Sequence, residues 1–435
     1  MDAVMASNAS SPSERLSLEQ GRRMPGNRAS WFLLVGLLAF APLAFGTVEF
    51  WSIAIVEVLA LLLALSWIFG GVRQRRIDLQ MNASFWSAIG LQVWVALQLL
   101  LRLTLDRTST REGLMLLLCY FLVFLVVSNE NWSPRRLRRL AIAMAVIGFA
   151  MAMFGMVQFF AWNGSLYWVR PVKFGSPFGP YLNHNHFAGL MEMTFPVALS
   201  LAFATRSGIA MKAFMICAGI VMALATFMTL SRGGLFAFAL SFFLFVYVAF
   251  RKKVGTRAVL TVGLLVVVGL GGVMWLGAEP AVQRIMALPG LGQELSYVDR
   301  IRIAGATLRI IQDHPYTGTG LGTFALLSPM YVSWPTNTLF DKAHNDYLQL
   351  LSEVGLIGFS FVVIWIVALF RSLVSMVRDD SQHSSLLPLG AFCGCFAILI
   401  HSFVDFNLQV PANAIYFATL AGLATRHYRG KSPRL

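Results

Sequence analysis

Charged residues are scarce in this chain. Only 12% of its 435 residues are Asp, Glu, Lys or Arg, whereas a soluble domain carries about 25%. Acidic residues are fewer than basic ones, with 20 Asp and Glu against 34 Lys and Arg. What fills the sequence is apolar, with 57% hydrophobic residues and a mean hydropathy of +0.69. This balance excludes a chain of ordinary soluble domains, and we predict a polytopic membrane protein.

Cysteine is also rare. The four cysteines all lie inside apolar runs, where a thiol behaves as a small hydrophobe; they are Cys119, Cys217, Cys393 and Cys395. This placement gives no disulfide framework, and the two closest cysteines lack the further ligands of a zinc site. We therefore expect neither a structural metal nor a cofactor.

Hydrophobic runs recur along most of the chain. At about 20 residues per span they predict about twelve transmembrane helices in one integral membrane domain, residues 31–425. The runs cover residues 31–45, 51–69, 85–101, 114–127, 140–162, 187–204, 213–230, 235–250, 258–276, 347–370, 386–400 and 412–424. The predicted fold class is an all-α membrane helix bundle. Residues 1–30 are expected to be a disordered cytoplasmic leader, and residues 426–435 a basic cytoplasmic tail.

Short clusters of Lys and Arg set the predicted orientation. If twelve spans alternate, nearly all clusters lie on one side, which the positive-inside rule makes the cytoplasm. Both termini are then cytoplasmic, and residues 278–343 form a large periplasmic loop between the ninth and tenth spans. Arg102, Arg107 and Arg111 depart from this pattern. Because the net charge of +14 resides in these clusters, we expect a lipid bilayer and no nucleic acid as its partner.

Three polar motifs immediately precede helices on the predicted outer side. They are Asn183-His184-Asn185-His186, Ser231-Arg232-Gly233-Gly234 and His344-Asn345-Asp346. In each, an Asn, Ser or Asp can cap the helix. A helix N-terminus carries partial positive charge and unpaired N–H groups, and it therefore favours phosphate. Singly these motifs suit ordinary caps; if they converge, they predict a pyrophosphate site at the outer membrane boundary.

His344 is the candidate base, because a neutral imidazole can take a proton from a sugar hydroxyl and a positive helix end helps to keep it neutral. Arg232, with Arg300 or Arg302, would neutralise a leaving diphosphate. The sequence also predicts an amphipathic helix over residues 296–311. The arginines of this helix could instead form a solvated face that lies on anionic lipid.

Further polar side chains on the same side complete the predicted substrate site. They are Arg170, Lys173, His184, Asn185, His186, Asn345, Asp346, His401 and Asp405. The histidines and Asp405 could instead be assembled into a metal site, but no spacing fixes one, and we expect hydrogen bonds to sugar or phosphate. Glu57 and Glu192 lie within apolar runs, which makes each either a functional group or half of a structural pair.

The motifs of the C-terminal half form a recognisable series. It comprises Asp313-His314-Pro315, Gly318-Thr319-Gly320-Leu321-Gly322-Thr323-Phe324, Ala343-His344-Asn345-Asp346-Tyr347-Leu348-Gln349, Glu353-Val354-Gly355-Leu356-Ile357-Gly358 and His401-Ser402-Phe403-Val404-Asp405-Phe406. With the two upstream motifs at residues 183–188 and 231–234, the series resembles the shared domain of the O-antigen ligase and O-antigen polymerase family. The resemblance covers roughly residues 170–423.

The resemblance implies a bacterial inner-membrane glycosyltransferase with its active site on the periplasmic face. Such enzymes move a glycan from undecaprenyl diphosphate to lipid A-core or a growing polysaccharide, without a nucleotide sugar or a required metal. His344 would be the family's loop histidine, and Arg232 with Arg300 or Arg302 would match its arginines, as would Arg170 less closely. The resemblance leaves open a ligase, a polymerase and a protein-glycosylating relative.

A transporter or lipid flippase is the alternative of another class. About twelve spans with both ends inside would suit one, and Glu57 and Glu192 could be its coupling sites. Against it, the polar residues gather in the predicted outer loops rather than at mid-membrane.

Overall fold

The computed structural model describes residues 27–75, 77, 79–172, 175–204, 208–252, 263, 297–336, 339–378 and 386–426. These contain thirteen α-helices, a short hairpin and one 3-10 turn, Asn407–Gln409. The helices are α1 (Arg28–Leu43), α2 (Phe50–Arg73), α3 (Ala83–Leu100), α4 (Arg107–Asn129), α5 (Pro134–Phe160), α6 (His184–Ala202), α7 (Ile209–Met228), α8 (Arg232–Arg251), α9 (Tyr297–Asp313), α10 (Phe324–Tyr331), α11 (Asp346–Arg378), α12 (Leu387–His401) and α13 (Pro411–Thr425). Strands β1 (Ser165–Leu166) and β2 (Arg170–Pro171) pair antiparallel.

The mostly helical class is confirmed, and the chain is a multi-pass membrane protein. Among the described residues, seven helices are long and apolar enough to cross a bilayer, namely α2, α3, α4, α5, α7, α8 and α11. Helices α1 and α12 are apolar but shorter. The ninth predicted span falls almost wholly outside the described residues, as do most of the leader and tail, and every other predicted run overlaps a helix. The number of about twelve spans stays a prediction.

Helix α6 lies at the centre of the bundle. Every side chain from His184 to Ala202 is buried, because α6 packs against α5, α7, α8, α12 and α13. Glycines on the neighbouring helices allow this close approach. A Cβ at Gly390 would lie 2.6 Å from the Pro196 carbonyl oxygen, and one at Gly394 would lie 2.6 Å from that of Met193. Small residues at such contacts are how membrane helices come close enough to pack.

Helix α11 is broken at Gly355, where the sequence predicted an uninterrupted span. Its φ of 64° and ψ of −176° lie in a region that is essentially restricted to glycine. The backbone groups freed at the break pair with a turn segment, residues 315–320. Leu356 N–H donates to the Pro315 carbonyl, and Gly320 N–H donates to the Glu353 carbonyl. Two motifs of the predicted series, the glycine-rich turn and Glu353–Gly358, therefore contact each other directly.

Two side chains on α3 support the broken helix. Trp94 Nε1 donates to the Val354 carbonyl at 2.8 Å. Gln98 Nε2 donates to the carbonyls of Thr317 and Glu353 at 2.7 and 2.9 Å. An unpaired backbone carbonyl in hydrocarbon costs several kcal/mol, so these bonds make the irregular backbone tolerable inside the bundle.

Helices α9 and α10 form a small lobe with a hydrophobic core of its own. That core contains Ile303, Ala306, Ile310, Phe324, Leu327, Phe340 and Ala343. Helix α9 matches the predicted amphipathic helix over residues 296–311. The carboxylate of Glu353 accepts hydrogen bonds from the N–H groups of Gly322 and Phe324, at 2.9 and 3.3 Å, and thereby joins the lobe to α11.

Replacing Gly355 with alanine tests the helix break. A Cβ at this position would lie 2.2 Å from the Tyr316 carbonyl oxygen, and the backbone conformation disfavours any side chain. We expect Gly355→Ala to destabilise the protein by about 2 kcal/mol or more. The measurement is the melting temperature of detergent-purified protein by fluorescence-detected size exclusion. Gly36→Ala is the control, because nothing lies within 4 Å of its Cβ position; equal melting of wild type and Gly355→Ala would contradict the account.

Candidate functional site

The helix N-terminal motifs meet at one end of the bundle. Helices α6, α8 and α11 begin at the three predicted motifs, and each is capped by a side chain. Asn183 accepts from the Asn185 N–H at 2.8 Å, and Ser231 accepts from the Gly234 N–H at 3.2 Å. Asn345 Oδ1 accepts from the Leu348 N–H at 3.0 Å. All three starts contact residues 401–410, which link α12 to α13.

Asp405 in this link is flanked by two histidines. His344 Nδ1 lies 3.6 Å and His186 Nε2 lies 3.8 Å from its Oδ1. The Phe406 ring contacts both imidazoles edge-on, with centroids 4.9 and 4.5 Å away. We call these four residues the Asp405 cluster. Asp405 is 1% exposed and His344 is 14% exposed, so the cluster is reached from outside through His344.

The surroundings of Asp405 keep its carboxyl group ionised. Burial alone would raise the pKa of this carboxyl group, but the imidazoles of His186 and His344 outweigh burial and hold the pKa well below its usual range. Asp405 is therefore a permanent anion near neutral pH. A carboxylate facing Nδ1 favours the His344 tautomer with its proton on Nδ1, which leaves Nε2 as the basic nitrogen.

His344 has an uncommon backbone. Its φ is 51°, in the left-handed region that a non-glycine residue seldom occupies. The turn directs residues on either side of Ala343 to different surroundings, with His344 in the Asp405 cluster and Lys342 at a cavity. A strained residue at the start of a capped helix is typical of a functional position.

Asp346 fastens α11 to the α12–α13 link. Its carboxylate accepts from the Ser402 hydroxyl at 2.8 Å and from the Leu408 N–H at 3.0 Å, while its own N–H donates to the Ser402 carbonyl at 2.9 Å. Asn345 Nδ2 adds a bond to the Phe403 carbonyl at 2.8 Å. Both side chains were predicted to bind substrate; Asn345 bonds to a backbone carbonyl of the link, and Asp346 bonds to a hydroxyl and a backbone N–H of the link.

His401 is placed differently from the prediction of a substrate contact. It is 1% exposed, and its Nδ1 lies 3.1 Å from an oxygen of Glu192, which is fully buried. Glu192 is therefore half of a pair inside the bundle, the structural alternative that the sequence left open. His184 Nδ1 lies 2.8 Å from Ser176 Oγ, away from Asp405, and Asn185 is buried in the first turn of α6.

The predicted basic residues separate into two groups. Arg232 is exposed at the start of α8, and Arg300 NH1 donates to the Val404 carbonyl at 3.1 Å, next to Asp405. In contrast, Arg302 lies 4.0 Å from Asp299 on an exposed face of the lobe. Arg170 is bound to Glu49 at 2.6 Å, in the connection between α1 and α2. Lys173 lies outside the described residues.

A cavity of about 380 Å³ lies between α3, α4, α11 and α13. Its walls are mostly apolar side chains, among them Leu91, Leu117, Phe121, Phe361, Trp365 and Phe417. Its polar lining comes largely from the start of α11 and the adjacent link, as Lys342, Asp346, Gln349, Glu353 and Gln409. The cavity thus has a polar end beside the Asp405 cluster and an apolar body along the helices.

Part of this polar end was not predicted from the sequence. Gln349 Nε2 donates to Gln409 at 2.8 Å and to Glu353 at 3.1 Å. Asp346, Gln349 and Glu353 recur at helical spacing on one face, and that periodicity was a signal available in the sequence. Lys342 carried no comparable signal, since only the fold brings it to the cavity.

The arrangement can take a proton and stabilise an anion. His344 backed by Asp405 has the geometry of a general base, and helix N-termini with Arg232 and Arg300 favour a phosphate group. Among the described residues, no three His, Cys, Asp or Glu side chains are arranged to hold a metal ion.

Comparison with known families gives one match. Residues 197–363 match the family model Wzy_C, described as O-antigen ligase, and this confirms the resemblance predicted from the motifs. The matched stretch includes Arg232, Arg300 and His344, whereas His186 and Asp405 lie outside it. No curated protein matches the chain.

Asp405→Asn tests the electrostatic part of the site. A carboxyl whose folded-state pKa is depressed adds stability above its unfolded value, about 3.9, and that stability is lost as pH falls through the folded value. We expect Asp405→Asn to melt below wild type at pH 7. The difference should not shrink between pH 7 and pH 5, and it should diminish below about pH 4. A difference that stays the same from pH 7 to below pH 4 would mean that Asp405 has an ordinary pKa.

Proposed function

We propose that this chain, whose residues 197–363 match the O-antigen ligase family, is a membrane glycosyltransferase that takes its glycan from undecaprenyl diphosphate. The acceptor is lipid A-core, which makes it a ligase, or a growing polysaccharide, which makes it a polymerase. The observation that carries the proposal is the Asp405 cluster, set among three helix N-termini. Lys342 and Asp346, on either side of His344 in the chain, line a mostly apolar cavity.

His344 is the proposed base. With its Nδ1 proton facing Asp405, Nε2 takes the proton of the acceptor hydroxyl, and Asp405 stabilises the imidazolium that results. The hydroxyl oxygen attacks the anomeric carbon as the bond from that carbon to the diphosphate oxygen breaks. The electron pair leaves with undecaprenyl diphosphate, and the configuration at the anomeric carbon is inverted.

The leaving diphosphate is stabilised by fixed positive groups. Helices α8 and α11 both begin here, and the positive ends of their dipoles favour an anion even though caps pair the N–H groups of Gly234, Asp346 and Leu348. Arg232 is exposed there, and Arg300 keeps further guanidinium N–H groups beyond its bond to Val404. Donors that are already in place cost no reorganisation as charge develops on the leaving group.

The cavity between α3, α4, α11 and α13 is the proposed site of the donor's lipid chain. Its apolar body suits a prenyl chain, and Lys342 at its polar end can face the diphosphate. The active site lies on the periplasmic face of the inner membrane, as the distribution of basic residues predicts.

His344→Ala is the first test. A deletion strain of the source bacterium is complemented with wild type, His344→Ala or the control His314→Ala, at matched membrane expression. Lipopolysaccharide and exopolysaccharide are resolved on gels, and lipid-linked glycans are extracted. Because His344 supplies the base, we expect its variant to lose product at least 100-fold while His314→Ala retains it.

The glycan that accumulates identifies the reaction. Long lipid-linked polymer with bare lipid A-core means a ligase, whereas single lipid-linked repeat units mean a polymerase. If the His344→Ala strain is indistinguishable from wild type, His344 is not the base. A deletion that changes no glycan at all would favour the transporter.

Filling the cavity tests the lipid site. Ala88 lines it, so we expect Ala88→Phe to raise KM for the undecaprenyl donor about tenfold, with little effect on a donor carrying a short prenyl chain. Ala54→Phe, on an exposed face of α2, is the matched control. The assay is glycan transfer by purified enzyme in nanodiscs with each donor. Equal KM values for Ala88→Phe and wild type with the long donor would show that the chain binds elsewhere.

A further inference from the structure

Glu192 and His401 form a hydrogen-bonded pair at the centre of the bundle. They are 0% and 1% exposed, and Glu192 Oε1 lies 3.1 Å from His401 Nδ1. The second oxygen of Glu192 has no hydrogen-bond partner among the described residues. A carboxylate buried in this way is costly, and apolar residues of similar volume often replace such pairs without loss of stability. Packing alone therefore gives little reason for the pair.

The pair orders the start of α8. Because a carboxylate only accepts hydrogen bonds, His401 Nδ1 carries the proton, and neutral His401 presents the lone pair of Nε2. Ser231 Oγ lies 3.5 Å from that nitrogen. The Ser231 hydroxyl can then donate to His401 while its oxygen accepts from the Gly234 N–H, the bond that caps α8.

The two glycines after Arg232 bring α8 directly onto this imidazole. A Cβ at Gly233 would lie 3.0 Å from His401 Cδ2 and 2.6 Å from a methyl carbon of Val404. A Cβ at Gly234 would lie 3.2 Å from His401 Cε1. The Ser231-Arg232-Gly233-Gly234 motif thus has a physical reason: serine caps the helix, and the glycines leave room for His401.

The main chain of His401 bonds to the turn that carries Asp405. Its carbonyl accepts from the N–H groups of Val404 and Asp405, at 3.0 and 3.2 Å. One residue therefore contacts the start of the helix that bears Arg232 through its side chain and the turn that bears Asp405 through its main chain. A rotation of the His401 side chain would release the start of α8, and Gly233 in that start packs against Val404 of the turn.

We infer that Glu192 and His401 are a positioning pair that fixes the helix start carrying Arg232 and the turn carrying Asp405 relative to each other. The inference rests on the proposed function for the roles of Arg232 and Asp405. Glu192 is fully buried; it sets the tautomer and rotation of the His401 side chain, which contacts the start of α8 directly, and that start packs against Val404 of the turn.

Glu192→Met and Glu192→Gln separate positioning from packing. Methionine has a similar length and only a weak sulfur acceptor, and it is easily accommodated in a membrane helix, whereas glutamine keeps an oxygen facing Nδ1. Hydrogen-exchange mass spectrometry follows residues 229–236 and 402–408 in nanodiscs, and native mass spectrometry measures binding of undecaprenyl diphosphate. Ser200→Ala is the control, since this buried hydroxyl of α6 bonds within its own helix.

We expect Glu192→Met to speed exchange in both segments and to weaken binding of undecaprenyl diphosphate about tenfold, while Glu192→Gln stays within about threefold of wild type. The inference is overturned if Glu192→Met leaves both segments as in wild type. Uniformly faster exchange along α5, α6 and α7 would overturn it too, because the pair would then be merely structural. Wild type that fails to bind undecaprenyl diphosphate would count against the proposed function, and the exchange data would still decide on the pair.

Discussion

The constraint on which this structure depends is that backbone polar groups within a membrane must find partners inside the protein. The break at Gly355 and the turn segment 315–320 pair their backbone groups with each other, and the side chains of Trp94 and Gln98 donate to carbonyls in both segments. This arrangement lets α11 turn its first helical segment, from Asp346, toward the link between α12 and α13. The candidate site depends on this pairing, because the irregular backbone next to it is otherwise unfavourable inside the bundle.

The sequence predicted the parts of the fold that follow from local chemistry. Apolar runs gave the helices, and the Asn, Ser and glycine residues of the motifs gave the starts of α6, α8 and α11. The break in α11 could not be predicted, because Gly355 is tolerated in an apolar helix and only the distant Gly318–Gly320 segment favours breaking it. Long-range pairing of backbone leaves no periodicity in either stretch.

For the site, too, the sequence predicted what depends on local chemistry and not what depends on long-range packing. Polar side chains that are rare in a membrane protein stood out, and the structure brings His186, His344 and Asp405 together. Which polar residues face a cavity and which bond to the chain depends on packing. Asp346 and His401 look alike in the sequence, because each is a polar residue at a helix end. In the structure Asp346 accepts a hydrogen bond from the α12–α13 link, whereas His401 pairs with the buried carboxyl group of Glu192.

The order of the site's components along the chain has a consequence for biosynthesis. His186 belongs to α6 and is synthesised early, whereas Asp405 comes near the end and is fixed only when α12 and α13 are in place. Helix α13 returns to the beginning of the bundle, where the Tyr416 hydroxyl donates to the Leu38 carbonyl at 3.0 Å. A nascent chain therefore carries its histidines through the translocon without their carboxylate partner. Insertion of the α12–α13 hairpin is therefore the step that brings Asp405 to His186 and His344.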